Sequence, residues 1–150
     1  MDLLIVLDSS GSVRDQQVPN TTDNWLLQLE FVKDVLRMGS KIGHYHDRVA
    51  LIEFSSQAEL VFDFDQYGSL DEILAAIDRL PFIGLTTNTS HALDLGREVF
   101  ASSSYGSRPN ATHIMLLVTD LYEEPYTTWR SEFLLSVAKL RNVTDIHRFS

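Results

Sequence analysis

The sequence predicts an α/β fold, doubly wound, with a mostly parallel central sheet and one antiparallel edge strand. Three observations carry that reading. Strand-like and helix-like segments alternate along the chain, as they do where helices cover a sheet on both faces. Two runs, Leu3–Leu7 and Ile114–Val118, are continuously apolar, the pattern of central parallel strands buried on both sides. A linker of three residues, Ser55-Ser56-Gln57, separates two further strands and implies a hairpin at the sheet edge.

Each element has its own signal. The opening strand runs from Asp2 or Leu3 to Leu7, with no secretory signal ahead of it in this segment. Asp15 to Asn24 is polar, contains Pro19 and reads as a loop. Asp23 is placed to cap a helix reaching about Lys41, whose Trp25, Leu29, Val32 and Leu36 share one face. Strands follow at Arg48–Phe54 and Glu59–Phe64. Ser69-Leu70-Asp71-Glu72 is a capping box opening a helix that Pro81 stops. Further helices are expected over Ser90–Phe100 and Thr128–Arg141, with strands at His113–Thr119 and Asp145–Phe149. Trp25 and Trp129 fit the apolar faces of their helices.

A chain of 150 residues, 44% hydrophobic and 22% charged, has the make-up of a single domain with a sizeable core. Twelve basic against twenty-one acidic residues, a net charge of -9, argue against nucleic acid as a partner. Cysteine is absent, which excludes disulfides and thiolate metal sites. The longest apolar runs are far too short for a membrane span. Four tripeptides fit the N-glycosylation pattern, at Asn20, Asn88, Asn110 and Asn142, and point to the cell surface or the extracellular space. Asn88 lies between two threonines of a loop expected to face ligand, so Asn20, Asn110 and Asn142 are the better acceptors.

Three polar clusters should converge at the carboxyl ends of the strands, where doubly wound sheets bind ligands. They are Asp8-Ser-Ser-Gly-Ser12, Gly84-Leu-Thr-Thr-Asn-Thr89 and Thr119-Asp120. All offer oxygen donors and none offers sulfur or imidazole, a set suited to Mg²⁺ or Mn²⁺ rather than zinc. Gly11 is expected to let the first loop turn tightly enough for two serine hydroxyls to meet. His44 and His46 lack a nearby third ligand and read as solvated loop residues, and Glu123-Glu124 reads as a solvated turn.

Asp8-x-Ser10-x-Ser12, then Thr87 within "LTTNTSHAL", then Asp120 after "IMLLVT", resembles the von Willebrand factor type A domain, a Rossmann-like fold shared with integrin inserted domains. The resemblance implies a metal-ion-dependent adhesion site. Ser10 and Ser12 would bind Mg²⁺ or Mn²⁺ directly, Asp8 and Asp120 mainly through water, and Thr87 either way. An Asp or Glu carboxylate of a protein partner, extracellular-matrix proteins among them, would complete the coordination. The chain departs from the family in having Leu121 where Gly often follows the last aspartate, with Glu123 and Glu124 nearby. It also has Gly84-Leu85 in place of a glycine pair. Family domains continue with further strands and a helix, so residues 1–150 read as one domain incomplete at its C-terminus, with the Ile114–Val118 strand left under-protected at its edge.

Two other classes remain open at this stage. An intracellular assembly or scaffold module is separated from an adhesion module by glycan occupancy. A phosphatase-like hydrolase requires a second acid two residues after Asp8, where Ser10 stands, and the G-x-S-x-G elbow is not matched around Ser10 or Ser12. The sequence therefore reads as a binding module and not an enzyme.

Overall fold

The computed structural model of the chain describes residues 1–14, 24–39 and 41–119, together with the backbone of residues 145–149. Among these residues the strands are β1 (Asp2–Asp8), β2 (Arg48–Phe54), β3 (Ala58–Phe62), β4 (His113–Val118) and β5 (Asp145–Phe149). They form one sheet in the order β3-β2-β1-β4-β5. β1 pairs in parallel with β2 and β4, β4 in parallel with β5, and β2 antiparallel with β3. The expected architecture, mostly parallel with one antiparallel edge, is the one observed.

Side-chain alternation along β1 explains why both faces need helices. Leu3, Ile5 and Leu7 join Trp25, Leu29 and Val32 of α1 (Asn24–Met38) and Ile73 and Ile77 of α2 (Leu70–Asp78). Leu4 and Val6 point the other way, into Ala92, Leu93 and Val99 of α3 (Thr89–Ala101). Every residue of β1 is buried. A strand enclosed on both faces and paired on both edges can meet solvent only at its ends, and its C-terminal end is where the polar cluster begins.

Three boundaries differ from the sequence reading, each for a local reason. β3 starts one position early and stops two early: Ala58 pairs with Phe54, a bulge falls between Leu60 and Phe62, and the Phe64 N–H bonds to the Tyr105 carbonyl instead of to β2. At the capping box, the Ser69 hydroxyl accepts from the Glu72 N–H, but the Glu72 carboxylate takes the Gly68 N–H, one residue before the cap itself. β4 is flanked by β1 and β5, so the expectation of an under-protected β4 edge is corrected: the edge strand on that side is β5. The expected helix over 128–141, with Trp129, and the loop of residues 15–23, with Asp23, lie outside the described residues.

The opposite end of β1 is fixed by charge. Asp2 is fully buried, and its carboxylate accepts from the Arg108 backbone N–H at 2.8 Å and Nε at 2.9 Å. Arg108 Nη2 adds a third contact to Asp2 and a bond to the Met1 carbonyl. This clamp joins the start of β1 to the turn before β4. Replacing Asp2 by Ala removes the charge-assisted bonds it makes to Arg108, whose side chain is partly exposed, at a cost of about 3 kcal/mol. A thermal melt of Asp2→Ala should therefore show a Tm lower by roughly 6–12 °C for a domain of this size. An unchanged Tm would show that the clamp contributes nothing to stability.

Candidate metal centre

At the end of β1 the Asp8 carboxylate is buried and turned back on its own loop. One oxygen accepts the Ser10 N–H at 2.8 Å and the other accepts the Thr119 hydroxyl at 2.6 Å. Asp8 thus ties the first loop to the end of β4, next to the position from which Asp120 continues. Asp120 itself lies outside the described residues; of the other expected ligands, Asp8, Ser10 and Ser12 share the first loop and Thr87 stands in the second.

After Asp8 the chain makes a short 3-10 turn over Gly11–Val13. This turn brings the Ser10 and Ser12 hydroxyl oxygens to 3.2 Å from each other. Adjacent ligands of an octahedral Mg²⁺, each at 2.0–2.1 Å, stand about 3 Å apart. The two hydroxyls are within hydrogen-bonding distance of each other, a spacing that would also suit two neighbouring ligands of one small hard cation. Among the described residues no three His, Cys, Asp or Glu side chains converge, so a cation here would be held by hydroxyls with carboxylates behind them. The donor chemistry fits Mg²⁺ or Mn²⁺.

Gly11 opens the turn at which the two hydroxyls meet, and it has a second role. Its backbone is not left-handed; a Cβ there would sit 3.1 Å from the Gly84 carbonyl oxygen. The glycine allows two loops to touch. Gly84 does have a positive φ, +76°, a conformation that side chains disfavour.

The second loop is stitched down at five points. Gly11 N–H donates to the Leu85 carbonyl, Gly84 N–H to the Ser9 carbonyl, and Ile83 N–H to the Ser9 hydroxyl, each at 2.8 Å. On the far side of Thr87, the Ser55 hydroxyl donates to the Thr86 carbonyl at 2.7 Å, and the Asn88 N–H donates to the Ser55 carbonyl at 2.8 Å. Thr87 is half-buried between these two anchors, its backbone held on both sides by Ser55. Asn88 then caps α3, its side-chain oxygen accepting from the His91 N–H and the Ser90 hydroxyl.

Sequence reasoning missed Ser9, Ser55 and Thr119 as organisers of the site. It also missed Glu53, a buried carboxyl on β2. Burial pushes Glu53 up to about 7; a hydrogen bond from Ser9 pulls it back, and the negative charge of Glu59 across the hairpin pushes it further up. His44 and His46 are exposed, and Trp25 is buried against Phe82, both as expected.

Residues 2–147 match the family model described as von Willebrand factor type A domain. The chain belongs to that family. It is 29% identical to the human collagen alpha-6(VI) chain, over 99% of this chain and 6% of that one. It is 28% identical to bovine integrin alpha-2, over 80% of this chain and 10% of that one. The chain therefore spans a small part of these relatives. The structure superposes on proximal thread matrix protein 1 of the mussel byssus with a TM-score of 0.76 at 25% identity, covering 98% of this chain and 35% of that one. A structure of the same mussel protein with a zinc-occupied MIDAS motif shares the fold, with a TM-score of 0.79 at 18% identity and coverage of 98% and 37%.

For this type A domain, Glu53 gives stability a definite pH dependence. Its carboxyl titrates near 7 when folded and near its ordinary 4.5 when unfolded. Between those values the folded state binds more protons than the unfolded state, so stability is highest below about 4.5 and falls as pH rises towards 7. After allowance for solvent screening the loss is on the order of 2 kcal/mol. Denaturant melts at pH 5, 6, 7 and 8 should show this decline superimposed on the rest of the profile, and Glu53→Gln should remove it. A Gln variant with the wild-type profile would assign the dependence elsewhere.

Proposed function

We propose that this domain is an extracellular, non-enzymatic adhesion module that binds a protein partner through a divalent cation at the Asp8 loop. The observation that carries the reading is the Ser10–Ser12 hydroxyl pair, 3.2 Å apart on a loop that Asp8 ties to its own Ser10 amide and to Thr119. Ser10 and Ser12 would hold Mg²⁺ or Mn²⁺ directly, with Asp8, Thr87 and Asp120 completing the set directly or through water. When bound, the cation supplies a Lewis-acidic position that a partner's Asp or Glu carboxylate can complete. The protein's own share is arrangement: neutral hydroxyls leave the positive charge incompletely balanced, and the stitched second loop keeps Thr87 in place.

The net charge of -9 opposes an acidic partner at long range, so the partner surface should be basic around one central acid. Kinship with a collagen chain, with the nematode transmembrane cell adhesion receptor mua-3 and with a byssus thread matrix protein supports a place in the matrix or at the cell surface. The hydrolase reading gains nothing from the geometry at Asp8 and Ser10: the Ser10 hydroxyl meets that of Ser12, and Asp8 accepts from the Ser10 N–H and the Thr119 hydroxyl.

Calorimetric titration with Mn²⁺ alone should show one site in the wild type, abolished in Asp8→Ala and weakened at least tenfold in Ser12→Ala, with melts confirming that both variants fold. Undiminished binding in folded Asp8→Ala would move the ion elsewhere and end this reading.

The extracellular placement has its own test. Asn110 is exposed on a turn before β4, and its pattern partner Thr112 is exposed too, whereas at Asn88 the pattern partner Ser90 is buried and bonded to the asparagine. Peptide mass spectrometry of protein from its native tissue should find glycan on Asn110 and none on Asn88. Asn110 bare in the native protein would favour an intracellular scaffold, and a fully glycosylated Asn88 would exclude partner approach from this face.

A further inference from the structure

The second loop shows solvent an apolar side that its stitching does not account for. From Pro81 to Leu85 exposure alternates: Phe82 and Gly84 are half-buried, while Pro81, Ile83 and Leu85 are exposed. Phe82 packs against Trp25, ring centroids 5.5 Å apart, and lies under the Arg14 guanidinium at 4.8 Å. Ile83 is 38% exposed and Leu85 58%. No residue from 81 to 89 is charged. A lone exposed leucine is ordinary. The backbone under this pair, however, is fixed: the Ile83 and Gly84 N–H groups bond to Ser9, and the Leu85 carbonyl to the Gly11 N–H, each at 2.8 Å. Its place is also particular. Gly11 lies between Ser10 and Ser12 in the chain, so a group reaching their two hydroxyls comes up beside Leu85.

We propose that Ile83 and Leu85 form an apolar ledge of the partner-binding face, and that the partner lays a large apolar side chain on it, one or two residues from the acid that meets the cation. Successive Cα atoms stand about 3.8 Å apart. An extended partner segment with its acid at the Ser10–Ser12 pair therefore reaches Leu85, one hydrogen bond from Gly11, with its next residue or the one after. A charged neighbour there would lose water and find no counterion on residues 81–89, whereas an apolar one gains by covering Ile83 and Leu85. Interfaces commonly keep apolar contacts at the centre and charge at the rim, so the basic surround expected from the net charge of -9 belongs outside the ledge. The acid beside the apolar residue rests on the cation reading given above. The ledge as an apolar contact does not.

An array of short synthetic peptides tests this in saturating Mn²⁺, each peptide with a central Glu and with Leu, Phe, Ser, Lys or Asp one or two positions from it. The wild-type domain should retain the Leu and Phe peptides about tenfold better than the others, the gain expected when most of one apolar side chain leaves water. Leu85→Ser keeps the backbone carbonyl that Gly11 needs and should lose most of that preference; Ile83→Ser should lose part of it. A wild type that retains no peptide, or that ignores the neighbours of the acid, overturns the proposal. A preference that survives intact in the folded Ser variants overturns it equally. The cation is read separately, in EDTA and on peptides with Gln in place of the central Glu. The same Leu and Phe preference under both conditions removes the cation reading and upholds the ledge. Retention that needs Mn²⁺ and Glu but is blind to the neighbouring residue upholds the cation reading and removes the ledge.

Discussion

β1 is enclosed by helices on both faces and by strands on both edges, so the chain can turn only where Asp8 ends the strand. At that point backbone and side-chain polar groups emerge from a dry interior, and each must find a partner at once. Asp8 answers for the Ser10 amide and the Thr119 hydroxyl, and Ser9 answers for β2 and the second loop. The candidate site lies where this satisfaction of groups ends. The hydroxyls of Ser10, which is buried, and of Ser12, which is half-buried, meet there within hydrogen-bonding distance.

β2 is the bracket for this arrangement. Phe54 receives the Ser9 amide, and Ser55 grips the backbone on either side of Thr87. Two consecutive residues at one strand end therefore set where two loops stand relative to each other. Neither is a candidate ligand. Their effect on a bound ion would be exerted wholly through the place they give to others, and a site of this kind is as precise as its supporting residues.

The parts legible in the sequence were those written in a local window. The apolar runs of β1 and β4, the helical spacing of Trp25, Leu29, Val32 and Leu36, and the Asp8-x-Ser10-x-Ser12 spacing each need only a few neighbouring residues to be read. The missed residues depend on pairings between remote strand ends. Ser9 meets residues 74 positions away, and Thr119 meets Asp8 across 111. Ser55 looks like any hairpin serine until the Thr86 carbonyl lies against it. The second role of Gly11 is hidden for the same reason: the carbonyl that would crowd a Cβ there, at 3.1 Å, belongs to Gly84, and nothing near Gly11 in the chain announces it. β3 was misplaced at its end because Phe64 finds its partner in Tyr105 rather than in the hairpin.

The position of β1 in the middle of the sheet also governs the order of events while the chain is being made. β1 is synthesised first, yet its neighbour β4 begins only at His113, more than a hundred residues later. At ribosomal speeds of about 5–20 residues per second, that edge waits on the order of 5–20 s for its partner. Throughout that interval the β4-facing edge of β1 has no ladder, and β2 and β3 can hold the strand only by its other edge. The hairpin next to β1 in the sheet is thus also an early hold on the nascent domain. Changes that weaken its pairing should act on the yield of folded chains before they act on the finished fold.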